Sequence, residues 1–173
     1  MSFFKNISNF NNVNDYLPML NGCITADLII IILAFHNIFK SYYLQKWYNK
    51  YQLAAVIADV LILMIVIILA RFFYNFIFKE FNIFKFTTLA VIIQIIHDIL
   101  FYLLFSSVPS GYNQMLDFFK EYAKEVGSKA IIGDSFMMIL ACLFTSHYAT
   151  YNLNTNIILL ILTTYLLPFM INY

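Results

Sequence analysis

Charge is what this sequence has least of. Only 11% of its residues are Asp, Glu, Lys or Arg, while 62% are hydrophobic; a soluble domain carries about 25% charged residues. Such a chain cannot cover a water-facing surface, so a soluble globular domain is excluded, and the mean hydropathy of +0.79 agrees. Cysteine is nearly absent. Cys23 and Cys142 are the only two, and both fall in apolar stretches, which argues for small buried thiols and against a disulfide framework. Basic runs are missing too. The net charge is +1, and with no cationic patch the chain has no footprint for nucleic acid. There is no HExxH string for a zinc site, and no lysine deep in a late apolar run to which a retinal-type chromophore could attach. The first 22 residues lack an apolar core followed by a small-residue cleavage site, and asparagines interrupt them throughout. Residues 1–22 are therefore expected to be a polar N-terminal segment, with the first apolar run retained as an anchor.

What the chain does have is long apolar runs. Five stand out, at residues 23–43, 53–78, 84–106, 130–151 and 155–171. A bilayer core needs about 20 apolar residues per helix, and lone strands would leave backbone groups unsatisfied in lipid. The predicted fold is all-α: a polytopic transmembrane helical bundle of about five spans, one domain over residues 23–173, integral to a membrane. The fifth run is the shortest and carries Pro168 near its end, so a four-span bundle with a surface-lying last helix is the competing arrangement.

Between the third and fourth runs lies the one water-tolerant stretch. Pro109, Ser110 and Gly111 end the third helix; Met115, Phe119, Tyr122 and Val126 then recur at helical spacing, with Asp117, Lys120, Glu121, Lys124 and Glu125 largely opposite. This predicts an amphipathic connector over residues 112–127. Gly127 would end it and Ser128 would cap the next helix. The connector rests on the membrane or the bundle, or it docks a protein partner. A homo-oligomer is also compatible with the sequence. Trp47 with Tyr42, Tyr43, Tyr48 and Tyr51 reads as an aromatic belt at a membrane boundary. Five spans place Lys40, Lys46, Lys50, Lys120, Lys124 and Lys129 on one side and Lys5, Arg71, Lys79 and Lys85 on or near the other. That imbalance predicts a cytoplasmic location for the first side.

The chemistry sits where lipid tolerates it least. A charged group at the centre of a spanning helix costs about 2.5–3.5 kcal/mol on insertion scales, yet Asp27, Asp59, Asp98 and Asp134 place one acid in each of the first four runs. At about 1.5 Å per residue, Asp59 lies roughly 9 Å and Asp134 roughly 6 Å inside their helices, with Asp98 about 12 Å and His36 about 10 Å from the same membrane face. His36, Asp59, His97 with Asp98, and Asp134 thus share one layer. Asp27 and Arg71 are expected toward the opposite face, at depths suited to an ion pair. Gln94, Asp98 and Tyr102 follow one another at i+4 steps, a polar stripe that must face protein. Asp134 aligns with Met138, Ala141 and Thr145, and Asp59 with Ala55, Val66 and Ala70; small residues beside polar ones mark helix contacts in membranes. His147 reads as a capping or interfacial histidine.

Three functions fit such a layer. It can be a set of interhelical hydrogen bonds holding together a non-enzymatic membrane protein. It can be a proton or cation pathway, with Asp59, Asp98 and Asp134 as carriers and His36 or His97 as relay. It can be an intramembrane enzyme, using a bound metal or a pair of acids. No cofactor is implied, and the residues specify no metal.

Two resemblances bear on this choice. Gly133-Asp134 together with His97-Asp98 resembles the paired acids of intramembrane aspartyl proteases. Ile131 stands where that family has glycine, His97 where it has tyrosine, Leu167-Pro168-Phe169 only partly matches its Pro-Ala-Leu element, and the spans are too few. The block over residues 94–138, from QIIHDILFYLLF to IIGDSFMM, resembles a stretch of uncharacterised small polytopic membrane proteins of large DNA viruses of algae and protists. The abundance of Ile, Asn, Phe, Tyr and Lys suits an AT-rich genome. That resemblance implies a location in a virion membrane or a host-cell membrane, and implies no site residues.

Overall fold

The computed structural model describes residues 3–36, 38 and 41–172; Lys40, counted above with the lysine-rich side, lies outside them. Seven α-helices and no strand occur among the described residues: α1 (Tyr16–Phe35), α2 (Tyr42–Tyr51), α3 (Leu53–Ile77), α4 (Ile83–Ser107), α5 (Gln114–Val126), α6 (Lys129–Tyr148) and α7 (Leu153–Ile171). Five of them, α1, α3, α4, α6 and α7, are long and apolar enough to cross a membrane. The protein is a multi-pass helical bundle. Its two short helices, α2 and α5, lie at the same end, the end at which α1 and α4 finish and α3 and α6 begin; this is called the lid end below.

Helices α1, α3, α4 and α6 form a ring in which α1 packs on α3 and α6, and α4 on the same two from the other side, while α7 lies outside against α1. The tightest crossing is α1 on α6. A Cβ on Gly22 would stand 2.5 Å from Thr145 Oγ1 and 2.6 Å from the Thr145 backbone nitrogen, so only glycine permits this approach. Met138, Ala141 and Thr145, the predicted stripe on α6, are fully buried, as are Ala55 and Ala70 on α3. The outward faces of α3, α4 and α7 carry exposed Ile, Leu and Phe, the pattern of helices solvated by lipid.

Asparagine, abundant in the sequence, starts helices here. Asn82, Asn113 and Asn152 accept backbone N–H bonds at the beginnings of α4, α5 and α7, and Ser41 does so for α2. Ser128 makes no such bond, so α6 starts without the expected cap. Gly127, at φ +54°, ends α5 as expected; Gln52 has φ +47° and joins α2 to α3 through the same kind of turn.

The first span differs from expectation. It begins at Tyr16 and ends at Phe35, against 23–43 from the apolar run. Pro18 falls in its first turn, where proline is tolerated, and Asn21 stays inside because α7 meets its amide nitrogen: Nδ2 donates to the Asn156 backbone carbonyl at 2.9 Å and to Asn156 Oδ1 at 3.0 Å. Tyr42 and Tyr43 belong instead to α2. Helix α7 continues to Ile171 through Pro168 and packs on α1, which favours five spans over four.

Candidate functional site

Helices α2 and α5 run antiparallel across the lid end and are tied at both ends. Ser41 Oγ, at the start of α2, donates to Glu125 Oε1 near the end of α5 at 3.1 Å; Tyr51 Oη, at the end of α2, donates to the Gln114 carbonyl at the start of α5 at 3.0 Å. Gln45 Nε2 donates to the Ala34 carbonyl at 2.8 Å and so anchors α2 to the end of α1. The apolar face of α5 is turned onto this assembly: Phe118 and Phe119 lie 5.5 and 4.9 Å from the Trp47 ring. Its charged face points away, with Glu121 and Lys124 paired at 2.8 Å. The face that periodicity offers to a partner is covered within the chain.

Two neighbours on α2 reach down into the ring. Trp47 Nε1 donates to Asp59 Oδ2 at 2.9 Å, and Tyr48 Oη donates to Asp27 Oδ1 at 2.8 Å. Burial, and after it the Asp27 and Asp59 carboxyls, pushes the Tyr48 phenol well above the usual tyrosine range, so the hydroxyl stays a donor. Burial likewise pushes up the Tyr122 phenol on α5, with Asp134 the next contributor. Trp47 and Tyr48 are 4% and 1% exposed; they are roof beams of the site and not members of an aromatic belt, while Tyr42 keeps the exposed position.

Beneath this roof is a cavity of about 670 Å³. Asp59 of α3, Gln94, His97 and Asp98 of α4, and Asp134 of α6 all line it. On α4, Gln94 Nε2 donates to Asp98 Oδ1 at 2.7 Å, and His97 Nδ1 lies 3.2 Å from the same oxygen. The His97 ring stacks on Phe101, 5.8 Å away. Among the described residues Gln94 Oε1 and Asp98 Oδ2 are buried without a partner, and no hydrogen bond joins Asp59, Asp98 and Asp134 to one another. The acids therefore surround a space and do not lock into a dry seam. The adjacent histidine and aspartate of α4 are explained: both face this space, at about two and a half turns from the helix end.

Other expectations need correction. Asp27 and Arg71 do not pair. Because α1 starts at Tyr16, Asp27 sits nearer the lid end than the apolar run implied and joins Tyr48. Arg71 lies at the far end of α3, where its Nη2 donates to the backbone carbonyls of Asn9 and Asn12 and contacts Asp15 Oδ2 at 3.4 Å. His36 stands just past the end of α1, exposed, with Nδ1 2.9 Å from the Ile32 carbonyl, and does not line the cavity. The polar stripe of α4 ends at Asp98, since Tyr102 is 53% exposed; successive i+4 steps drift round a 3.6-residue helix. His147 does not cap α6: its Nδ1 is 3.1 Å from the Phe3 carbonyl and its Nε2 2.8 Å from Tyr151 Oη, so it ties the end of α6 to the N-terminal segment. Among the described residues no three His, Cys, Asp or Glu side chains come together as a metal-ligand set.

Comparison with family models, with curated proteins and with solved structures finds no match to this chain.

Proposed function

We propose that this multi-pass membrane protein is a binding or transport protein that admits a cationic solute, protons included, from the lid end into an acidic intramembrane cavity. The observation that carries this reading is the convergence of Asp59, Asp98 and Asp134, from three helices, on one cavity of about 670 Å³ that also holds Gln94 and His97. Lipid penalises each of these groups singly, and a bundle needing only cohesion would pair them with one another. The opposite half is closed by packing, so passage across the membrane would require that half to open in turn, as in alternating access.

Reconstitution tests the proposal. Liposomes carrying the protein should take up protons or monovalent cations faster than empty liposomes, and Asp98→Asn or Asp134→Asn should remove the difference while leaving the helical circular dichroism signal intact. Uptake equal to that of empty liposomes would end the transport version. As to which membrane, the sequence resemblance supports a virion or infected-cell membrane; absence of the protein from both, by mass spectrometry, would remove that placement.

A further inference from the structure

We infer that the cavity takes an amphiphilic organic cation whose head carries N–H donors, such as a protonated alkylamine. This rests on the solute-binding reading above and names its substrate class.

The lining carries four carboxyl groups, Asp59, Asp98, Glu125 and Asp134, against one lysine. Gln94 and Asp98 both line the cavity, and Gln94 Oε1 and Asp98 Oδ2 are buried without a hydrogen-bond partner. Three donors at the site are already committed to acceptors: Trp47 Nε1 to Asp59, Tyr48 Oη to Asp27, and Gln94 Nε2 to Asp98. The lining's one lysine, Lys129, is the first residue of α6, and Glu125 of the lining offsets its charge. An anion would meet an excess of carboxyl groups. An ammonium would bring the donors that Gln94 Oε1 and Asp98 Oδ2 lack, and each such bond to a carboxylate is charge-assisted.

The remainder of the wall selects the other end of the ligand. Rings of Phe101, Phe118 and Phe119 line the cavity along with Ile30, Ile62 and Met137, and aromatic faces attract cations as well as hydrocarbon. A volume of about 670 Å³ is that of a small-molecule site and far exceeds a bare ion. No metal-ligand set occurs among the described residues. Acceptors that lack hydrogens favour an N–H ammonium over a quaternary one of similar size.

The chain carries a single tryptophan, Trp47, and it lines this cavity, so intrinsic fluorescence reads the site directly. The full chain in nanodiscs is titrated with octylammonium, octyltrimethylammonium and octanoate. Octylammonium should shift Trp47 emission saturably, and about tenfold more tightly than either of the others, the ratio expected for one charge-assisted hydrogen bond. Gln94→Leu and Asp98→Asn should each weaken octylammonium by a similar factor, while Lys124→Gln, on the outer face of α5, should leave it unchanged. Equal affinity for octanoate and octylammonium on the unaltered chain, or a shift that never saturates, would overturn the inference. Octyltrimethylammonium binding as tightly as octylammonium would overturn its N–H part. Saturable amine binding without liposome uptake would retain this inference and defeat transport; proton uptake without amine binding would do the reverse.

Discussion

The two ends of this bundle treat polar groups in opposite ways. At the end away from the lid, residues 3–15 fold over α3 and α6 and finish in a single turn at Val13–Asp15. Arg71, fully buried, is met by carbonyls of Asn9 and Asn12, by Asp15 and by the ring of Tyr16 at 5.1 Å. Asp15 in turn accepts from Asn12 Nδ2 at 2.8 Å and contacts Lys5 at 3.4 Å. Asn75 reaches the Ser8 carbonyl, and Ser146 Oγ the Lys5 carbonyl at 2.7 Å. Asn21 meets Asn156, and Gly22 lets α1 press on α6. At the lid end Asp59, Asp98 and Asp134 come from three helices to line a cavity. One end packs its polar groups between segments of the chain; the other arranges them around a space. Substitution should therefore cost stability at the first end and binding at the second.

Arg71 offers the sharpest way to break this contrast. Arg71→Leu leaves Asp15 buried with only the half-exposed Lys5 as counter-charge, and loss of one partner of a buried pair costs about 3–5 kcal/mol. Thermal unfolding in detergent should show a large fall in midpoint; an unchanged midpoint would mean that the N-terminal segment does not seal the bundle.

A matched pair of glycines sharpens it. Gly22→Ala forces a methyl group onto the Thr145 side chain and backbone, and overpacking of this kind costs about 1–3 kcal/mol. Gly133→Ala, one residue before Asp134 and inside α6, meets nothing within 4 Å and should raise the midpoint slightly, since alanine is the better helix former by about 1 kcal/mol. Similar losses from both would erase the distinction between a packed end and an open one.

The smallest effect is expected at the joint between α2 and α3. Gln52, at φ +47°, sits where side chains are strained, at a cost on the order of 1 kcal/mol. Gln52→Gly should raise the midpoint slightly, since glycine adopts this conformation freely. A lowered midpoint would show that the Gln52 side chain contributes more than its backbone costs.

Much of this layout was legible in the sequence, for a physical reason. Lipid enforces long apolar runs, so five spans could be counted, and it penalises acids, so Asp59, Asp98 and Asp134 announced themselves and their depths could be compared. The amphipathic period of α5 was equally plain. What could not be read was anything set by contacts distant in the chain. Asp27 was placed at the wrong end because the apolar run begins at Cys23, whereas α1 begins at Tyr16; Asn21 is accommodated inside by Asn156, which lies on the last helix. Arg71 was paired with Asp27 on depth alone, while its partners come from residues 9–15. Trp47 and Tyr48 looked like interface anchors because they follow closely on the apolar run that ends at Tyr43. The polar break at His36 and Ser41, with Lys46 and Lys50 following at helical spacing, was the signal for a separate surface helix.

Water access to the lid-end cavity is the point on which the account turns, and cysteine labelling reads it most directly. Cys23 and Cys142 are both fully buried, so the parent chain should take no label from a membrane-impermeant maleimide. Gly133→Cys places a thiol on the cavity wall and should be labelled once per chain, and more slowly after octylammonium is added. A Gly133→Cys protein that stays unlabelled, under conditions that label Lys124→Cys on the outer face of α5, would contradict an open acidic cavity.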